Sequence, residues 1–350
     1  MARPTGIGYA VAAAALFGAS TPLAKALLGS ISPVLLAGLF YAGSGLGLGL
    51  WSVLASRRSR ERAEAPLQRR DVPWLAGAVL AGGVAGPVLL MLGLSRTPAS
   101  TSALLLNLEA VLTAAIAWIA FRENVDRRIF IGMAAIVAGG VILSLDRSAI
   151  GAGLFGSLAI AGACLCWAID NNLTRAVSGG DPVHVAAIKG AAAGSVNIAV
   201  ALASGAAWPG WTLAASAAAV GLFGYGVSLV LFVLALRHLG TARTGAYFST
   251  APFVGASLSL LLLHEAPSPA WWIAAGLMAL GVLLHATERH EHEHTHEAME
   301  HTHRHRHDEH HQHAHDFDWD GTEPHTHPHA HAPLTHSHAH FPDLHHRHRH

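Results

Sequence analysis

Long runs of apolar residues alternate with short polar or charged connections over most of the chain. Each run has the length of a helix that crosses a bilayer, for which about 20 residues cover about 30 Å of hydrocarbon. The runs lie near residues 6–28, 33–55, 73–94, 98–120, 129–145, 151–173, 182–203, 212–236, 242–263 and 269–286. The pattern predicts an all-α integral membrane protein with ten transmembrane helices.

The composition agrees with this fold class. Hydrophobic residues make up 52% and charged residues 13% of the chain, whereas soluble domains carry about a quarter charged residues. A water-soluble enzyme is therefore disfavoured. The formal net charge of zero combines a basic body over residues 1–287 with an acidic tail over 288–350. Because the two parts cancel, the total charge gives no indication of a nucleic-acid partner.

Arginines in the short connections determine the predicted orientation. With the N-terminus inside, 13 arginines lie on the cytoplasmic side and only Arg96 and Arg147 lie on the other. An excess of basic residues in short loops marks the cytoplasmic face. We therefore expect a multi-pass protein of an inner or plasma membrane with both termini in the cytoplasm.

The two halves of the body contain similar sequence marks in the same order. The run Leu263-His264-Glu265 is similar to Phe121-Arg122-Glu123 and lies 142 residues later in the chain. Arg175 likewise corresponds to Lys25, 150 residues earlier. Residues 1–147 and 148–287 would then each hold five helices. Because five is odd, the second copy enters the membrane from the opposite side, which predicts an inverted repeat.

Three features carry a resemblance to a known family. They are the cluster Cys166-Trp167-Ala168-Ile169-Asp170-Asn171-Asn172-Leu173-Thr174-Arg175, the run Asn107-Leu108-Glu109-Ala110-Val111, and the paired Glu123 and Glu265. With the duplicated halves, the chain resembles the EamA-type transporters of the drug/metabolite transporter superfamily over residues 6 to 286. The family often has proline where this chain has Ala110, while Pro252 lies at the corresponding depth of the second half.

The resemblance implies a ten-helix carrier, usually an exporter of small organic metabolites or drugs. It also implies a central cavity lined chiefly by the first four helices of each half. The tail lies outside the resemblance.

Glu109 is the strongest candidate for a central site. It lies about 11 residues into the fourth run, hence about 17 Å deep at about 1.5 Å per residue. A charge at that depth costs at least about 2.5–3.5 kcal/mol, so it needs a reason to be there. Proton exchange or binding of a cationic substrate is one interpretation, and a structural hydrogen bond from the protonated acid is the other. Asn107 points elsewhere, and packing between helices is the simpler interpretation for it.

Asp170 and Lys189 are nearly equidistant from the connection between the sixth and seventh runs. Antiparallel packing would bring them to one depth, as an ion pair or a shared cavity wall beside Asn171. For Lys189, extension of the side chain to the membrane interface is an equal alternative. For Lys25 we prefer that interfacial position, and contact with an anionic substrate group is the second reading.

Several other residues are candidates for lining the predicted cavity or for bending the helices around it. Tyr225 and Tyr247 could offer hydroxyl groups to it. Pro252, like Pro22 and Pro87, removes a backbone donor at depth, which marks either a gating bend or a passive kink. The small residues of Gly43-Ser44-Gly45-Leu46-Gly47 and the Gly82 to Gly86 spacing favour close helix packing within the bundle.

Residues 288–350 contain 23 of the 27 histidines and few apolar residues. Such a segment cannot bury enough surface to fold alone, so we expect it to be disordered. Its repeated His-x-His pattern offers ligands to Zn, Ni, Co or Cu, although no cofactor is required. The candidate ligands are His290, His292, His294, His296, His301, His303, His305, His307, His325, His327, His329 and His331.

Three functions follow from these patterns. The first is a secondary carrier of a small organic compound with Glu109 at its centre. The second is a divalent-metal exporter supplied by the histidine-rich tail, and the third is a metal sensor or store with a membrane anchor. We favour the first, because the membrane interior offers few metal ligands. No nucleotide-binding loop or zinc-protease motif occurs, so no catalytic residue is assigned. The expected partners are a small-molecule substrate, the lipid bilayer and divalent metal ions, without nucleic acid, and a homodimer stays open.

Overall fold

The computed structural model of the protein describes residues 4–58, 71–121, 127–146, 154–174, 182–239, 241–286, 291–296, 299–305, 325–331 and 334–339. Apolar residues with few breakers form helices throughout the body. The α-helices are α1 (Pro4–Leu27), α2 (Pro33–Arg58), α3 (Val72–Ala78), α4 (Gly86–Arg96), α5 (Ala99–Leu105), α6 (Leu108–Phe121), α7 (Arg127–Leu145), α8 (Leu154–Thr174), α9 (Pro182–Ala203), α10 (Trp211–Gly221), α11 (Ser228–Leu239), α12 (Thr241–Phe248), α13 (Ala251–Leu262) and α14 (Pro269–Ala286).

Within the described residues, nine helical stretches are long and apolar enough to cross a membrane. The tenth predicted run forms α14, but its apolar part, Pro269–His285, is shorter. The chain is therefore a multi-pass membrane protein, and the ten-span count depends on α14.

Four of the spans are interrupted rather than continuous α-helices. The π-helical segment Val79–Ala85 joins α3 to α4, and a second one, Leu222–Val227, joins α10 to α11. A turn at Leu106 and Asn107 separates α5 from α6, and a turn at Ser249 and Thr250 separates α12 from α13. The two π-helical segments begin 143 positions apart, and so do the two turns.

The prolines coincide with only part of these interruptions. Pro252 lies at the start of α13, after the turn at Ser249 and Thr250, where a missing backbone donor costs little. Pro87 follows directly on the first π-helical segment, where the backbone is helical, so its missing N–H leaves the Gly82 oxygen without a donor at the five-residue step. Pro22 lies inside the continuous helix α1. Two of the three prolines therefore lie beside interruptions, and the choice between a gating bend and a passive kink stays a prediction.

Several contacts between helices come in matched pairs along the body. Helix α2 packs against α9, and α7 against α14. Helix α4 packs on α8 while α11 packs on α1, and α6 packs on α8 while α13 packs on α1. The packing of α5 on α13 has no counterpart of similar extent among the described residues. The helices before residue 146 thus find their main partners among those after residue 154, and the core lies between the two sets.

Small residues let α2 approach its neighbours closely. A Cβ added at Gly45 would lie 2.2 Å from the backbone nitrogen of Ala191 on α9. One added at Gly43 would lie 2.0 Å from the carbonyl oxygen of Ala218 on α10. The predicted use of these glycines in packing within the chain is confirmed.

The tail contains regular structure where we expected none. Strand β1 (Glu291–His296) pairs antiparallel with β4 (Leu334–Ala339), and β2 (Met299–His305) pairs antiparallel with β3 (His325–His331). The prediction of disorder is corrected for these segments, because His-x-His alternation has the two-residue period of a strand. The candidates His290 and His307 lie outside the described residues.

Candidate functional site

The first π-helical segment provides a backbone carbonyl to side chains of other helices. In an α-helix the Gly86 N–H would bond the Gly82 oxygen, but here it bonds the oxygen of Ala81. The Gly82 oxygen instead accepts hydrogen bonds from the Tyr41 hydroxyl at 2.8 Å and from Trp167 Nε1 at 2.9 Å. A carbonyl oxygen has two lone pairs, so these donors satisfy it fully.

An ion pair lies directly beside this segment. Lys189 Nζ on α9 lies 2.5 Å from Asp170 Oδ1 and 2.7 Å from Asp170 Oδ2 on α8. Thr174, one turn further along α8, donates its hydroxyl to Asp170 Oδ1 at 2.8 Å. The predicted ion pair is present, because the hairpin of α8 and α9 brings the two residues to one depth. Lys189 consequently does not extend to the interface.

Asp170 fits here only because residue 82 has no side chain. A Cβ built on Gly82 would lie 2.0 Å from Asp170 Oδ2 and 2.5 Å from Asp170 Cβ. Contacts under 3 Å are too short for carbon, and the Cβ of Asp170 cannot move without the backbone of α8. Gly82 thus provides the carbonyl oxygen of the site and leaves the space that the Asp170 carboxylate occupies.

We expect Gly82→Ala to lower the free energy of unfolding by about 1–3 kcal/mol, the usual cost of overpacking. Thermal unfolding of the purified protein in detergent measures this loss. Gly49→Ala is the matched control on α2, because its added Cβ meets nothing within 4 Å. Equal unfolding temperatures for the two variants would contradict the packing of Asp170 against residue 82.

Glu109 lies in the first turn of α6 and contacts Asn171, the residue of α8 that follows Asp170. Its Oε1 accepts a hydrogen bond from Asn171 Nδ2 at 2.9 Å, and the same amide lies 3.4 Å from Thr113 Oγ1. Among the residues that the structure describes, no basic side chain forms an ion pair with this carboxyl group. Glu109 is half-buried and Asn171 is exposed, so the pair is open to a ligand.

Aromatic side chains form the wall across from the charged groups. The ring of Tyr225 lies 5.6 Å from that of Tyr41, 5.7 Å from Phe17 and 5.9 Å from Phe40, between ring centres. Tyr41 connects this cluster to the ion pair, because its hydroxyl donates to the oxygen of Gly82, against which Asp170 packs. The site therefore has a charged side, built from α6, α8 and α9, and an aromatic side, built from α1, α2 and the second π-helical segment.

A family model matches two consecutive parts of the chain, residues 4–145 and 154–287, and it describes the EamA-like transporter family. The chain belongs to the EamA-like transporter family. The two matches together span most of the chain and end where the histidine-rich tail begins.

Two known proteins are similar to this EamA-like chain. An uncharacterized transporter of Methanothermobacter thermautotrophicus is 27% identical over 298 residues, covering 81% of this chain and 87% of the relative. A protein of known crystal structure is similar with a TM-score of 0.58 at 19% identity, covering 79% of this chain and 95% of that one. This second likeness shows the fold alone.

Three predicted cavity residues of the EamA-like chain lie away from the charged side. Asn107 is buried and donates to the oxygen of Leu104 at 2.8 Å, so it closes the end of α5. Pro252 begins α13, and the oxygen of Tyr247 accepts two hydrogen bonds from Thr250 at the preceding turn. The side chain of Tyr247 packs against a small apolar cluster that includes Ala10 and Leu239.

Lys25 lies at the turn between α4 and α5. Its ammonium group donates to the oxygen of Leu94 at 2.6 Å and to that of Thr97 at 2.8 Å, at the end of α4. Glu265 accepts from the N–H groups of Ala99 at 2.6 Å and Ser100 at 2.9 Å, at the start of α5. Lys25 is therefore not part of the charged side, and its position at the lipid interface stays a prediction. The counterparts Arg175 and Glu123 lie outside the described residues.

The sequence reasoning missed Tyr41, Trp167, Gly82 and Thr113 as parts of the site. Gly82 and Trp167 carried a signal, since each stands in a motif already singled out. For Tyr41 the signal was a single hydroxyl in the middle of an apolar run.

Proposed function

We propose that this protein is a secondary transporter that moves a small organic compound through the site between Glu109 and Tyr225. Membership of the EamA-like family supports membrane transport, and the geometry supports the position of the site. The observation that carries the proposal is the Glu109 carboxyl group, which, among the residues that the structure describes, bonds a neutral amide and no basic side chain inside an apolar bundle.

Glu109 is the group that couples transport to its driving force. A carboxylate without a counter-ion is costly within the hydrocarbon region, so it must bind a proton or a cation there. Asp170 cannot take this role in the same way, because Lys189 already neutralises it. One proton, or one cationic group of the substrate, therefore occupies the site at Glu109 in each cycle.

The transporter consists of two inverted halves of five spans each, residues 1–147 and 148–287. The matched pairs of helix contacts and the 143-residue spacing of the interruptions support this repeat. The double match of the family model agrees with it. In this arrangement α14 is the tenth span, and its 18 residues reach about 27 Å at about 1.5 Å per residue.

We place the chain in an inner or plasma membrane with both termini in the cytoplasm. The reason is the distribution of arginines between the two sides of the membrane. Asn171 is then three residues from the cytoplasmic end of α8. The charged side thus lies nearer the cytoplasm, which supports loading from that side and export of metabolites or drugs.

Uptake and efflux screening in lipid vesicles tests the proposal. Purified protein is reconstituted, a pH gradient is imposed, and a panel of small organic amines, acids and neutral metabolites is offered, with and without Zn²⁺ or Ni²⁺. We expect gradient-dependent movement of at least one organic compound without metal. Movement of metal ions alone would favour metal export instead.

The tail has a separate role in metal binding. The strand register places His301 opposite His329, His303 opposite His327 and His305 opposite His325. Positions two apart on a strand share a face, so the register gathers imidazole-bearing residues on one side of the ladder. We propose that it binds Zn, Ni, Co or Cu as an accessory to transport. In the described bundle no group of three or more potential ligands occurs.

Deletion of residues 288–350 is expected to abolish Ni²⁺ binding and to leave transport of the organic compound within about twofold of the full chain. The reason is that the hydrogen-bonded group around Glu109 is built from α6 and α8, within the described part of the chain. Isothermal titration with Ni²⁺ and the vesicle assay measure the two effects. Loss of organic transport on deletion would assign the tail to the mechanism.

A further inference from the structure

The two π-helical segments occupy equivalent places in the two halves. Val79–Ala85 packs against α8 and α9, and Leu222–Val227 packs against α1 and α2. In the second segment Ser228 N–H bonds the oxygen of Phe223, the same five-residue step that Gly86 makes to Ala81. Each segment therefore packs against the first two spans of the other half.

A π-helical turn is rare and is held by interactions from outside the helix. In the first segment the Gly82 oxygen is bound by Tyr41 and Trp167, and the Gly83 oxygen by Asn197 Nδ2 at 3.2 Å. Rewinding to an α-helix would return the Gly82 oxygen to Gly86 N–H. One of the two side-chain donors would then have to leave.

Tyr41 is the donor that also reaches the second segment. Its hydroxyl binds Gly82, while its ring packs on Tyr225 at 5.6 Å between centres and an interplanar angle of 38°. Tyr225 lies within Leu222–Val227. Trp167 provides a comparison, because it donates to the same Gly82 oxygen from α8, which packs against the first segment.

We propose that Tyr41 couples the two π-helical segments, so that loosening of one changes the stability of the other. The coupling rests on the proposed transport function. A chain of hydroxyl, ring and neighbouring ring gives a contiguous physical connection between the two segments. Tyr41 is thus a positioning residue and does not itself bind the proton.

Amide hydrogen exchange of the full chain in lipid nanodiscs tests the coupling without knowledge of the substrate. Tyr41→Phe keeps the ring and removes the bond to Gly82. We expect about two- to tenfold faster exchange in both segments, the range that loss of one hydrogen bond gives to an opening equilibrium. Trp167→Phe removes the other bond to the same oxygen, and we expect faster exchange in Val79–Ala85 alone.

Tyr225→Leu tests the connection from its other end and is expected to speed exchange in Val79–Ala85 through Tyr41. Size-exclusion chromatography shows whether each variant is folded. If Tyr41→Phe leaves Leu222–Val227 at its normal exchange rate, or if Trp167→Phe speeds both segments equally, Tyr41 does not couple them. Vesicles that move no organic compound would overturn the transport function and leave the exchange result standing.

Discussion

Glu109→Gln is expected to lower the rate of transport driven by a pH gradient by about 10- to 100-fold. The amide keeps the size of the side chain and can still bond Asn171, but it neither releases a proton nor attracts a cation. Loss of one charge-assisted contact is worth about 1.5–3 kcal/mol, which corresponds to a fall of about 10- to 100-fold in the rate at a subsaturating concentration. The vesicle assay with the compound found by screening measures this fall.

The control for Glu109→Gln is Glu265→Gln. Glu265 binds the first N–H groups of α5 and lies at the turn that Lys25 also contacts. A glutamine there still accepts one of those bonds, so this variant should keep its dependence on the pH gradient. Infrared difference spectroscopy on a pH step gives a second readout, because the carboxyl band of Glu109 should disappear in its own variant alone. Full transport by Glu109→Gln with unchanged pH dependence would remove this residue from the mechanism.

The spans and their main contacts could be predicted because hydropathy and residue size determine them locally. The apolar runs became helices, and the glycines of α2 mark close crossings. The Asp170–Lys189 pair followed from counting residues on either side of one connection. Each of these predictions depends only on residues within one helix or one hairpin.

The interruptions could not be predicted because distant residues stabilise them. The turn at Leu106 and Asn107 contains neither proline nor glycine. Its freed carbonyl groups are approached by the Cys164 thiol on α8, 3.7 Å from the oxygen of Leu105. The π-helical turn at Gly82 likewise depends on side chains of α2 and α8. No local pattern at residues 79–85 contains this information.

Single replacement of either member of the Asp170–Lys189 pair is expected to be the most destabilising change. Asp170→Asn leaves the ammonium group without its anion, and Lys189→Met leaves the carboxylate without its cation, with both side chains nearly buried. Removal of one partner of a buried pair costs about 3–5 kcal/mol. Unfolding in detergent, followed by the loss of helical circular dichroism, should show this loss for both variants.

The double variants separate charge from shape at this position. Asp170→Asn with Lys189→Met removes both charges, and we expect it to recover most of the lost stability, because replacing a whole buried pair is often nearly neutral. The exchanged pair, Asp170→Lys with Lys189→Asp, keeps both charges but should stay as unstable as the single variants. The reason is that a lysine at position 170 would have to fit against the backbone of Gly82, where aspartate already leaves no room for one methyl group. Recovery of stability by the exchanged pair would show that only the two charges contribute to stability at these positions. It would contradict the conclusion that the packing of residue 170 on the π-helical segment holds the site in place.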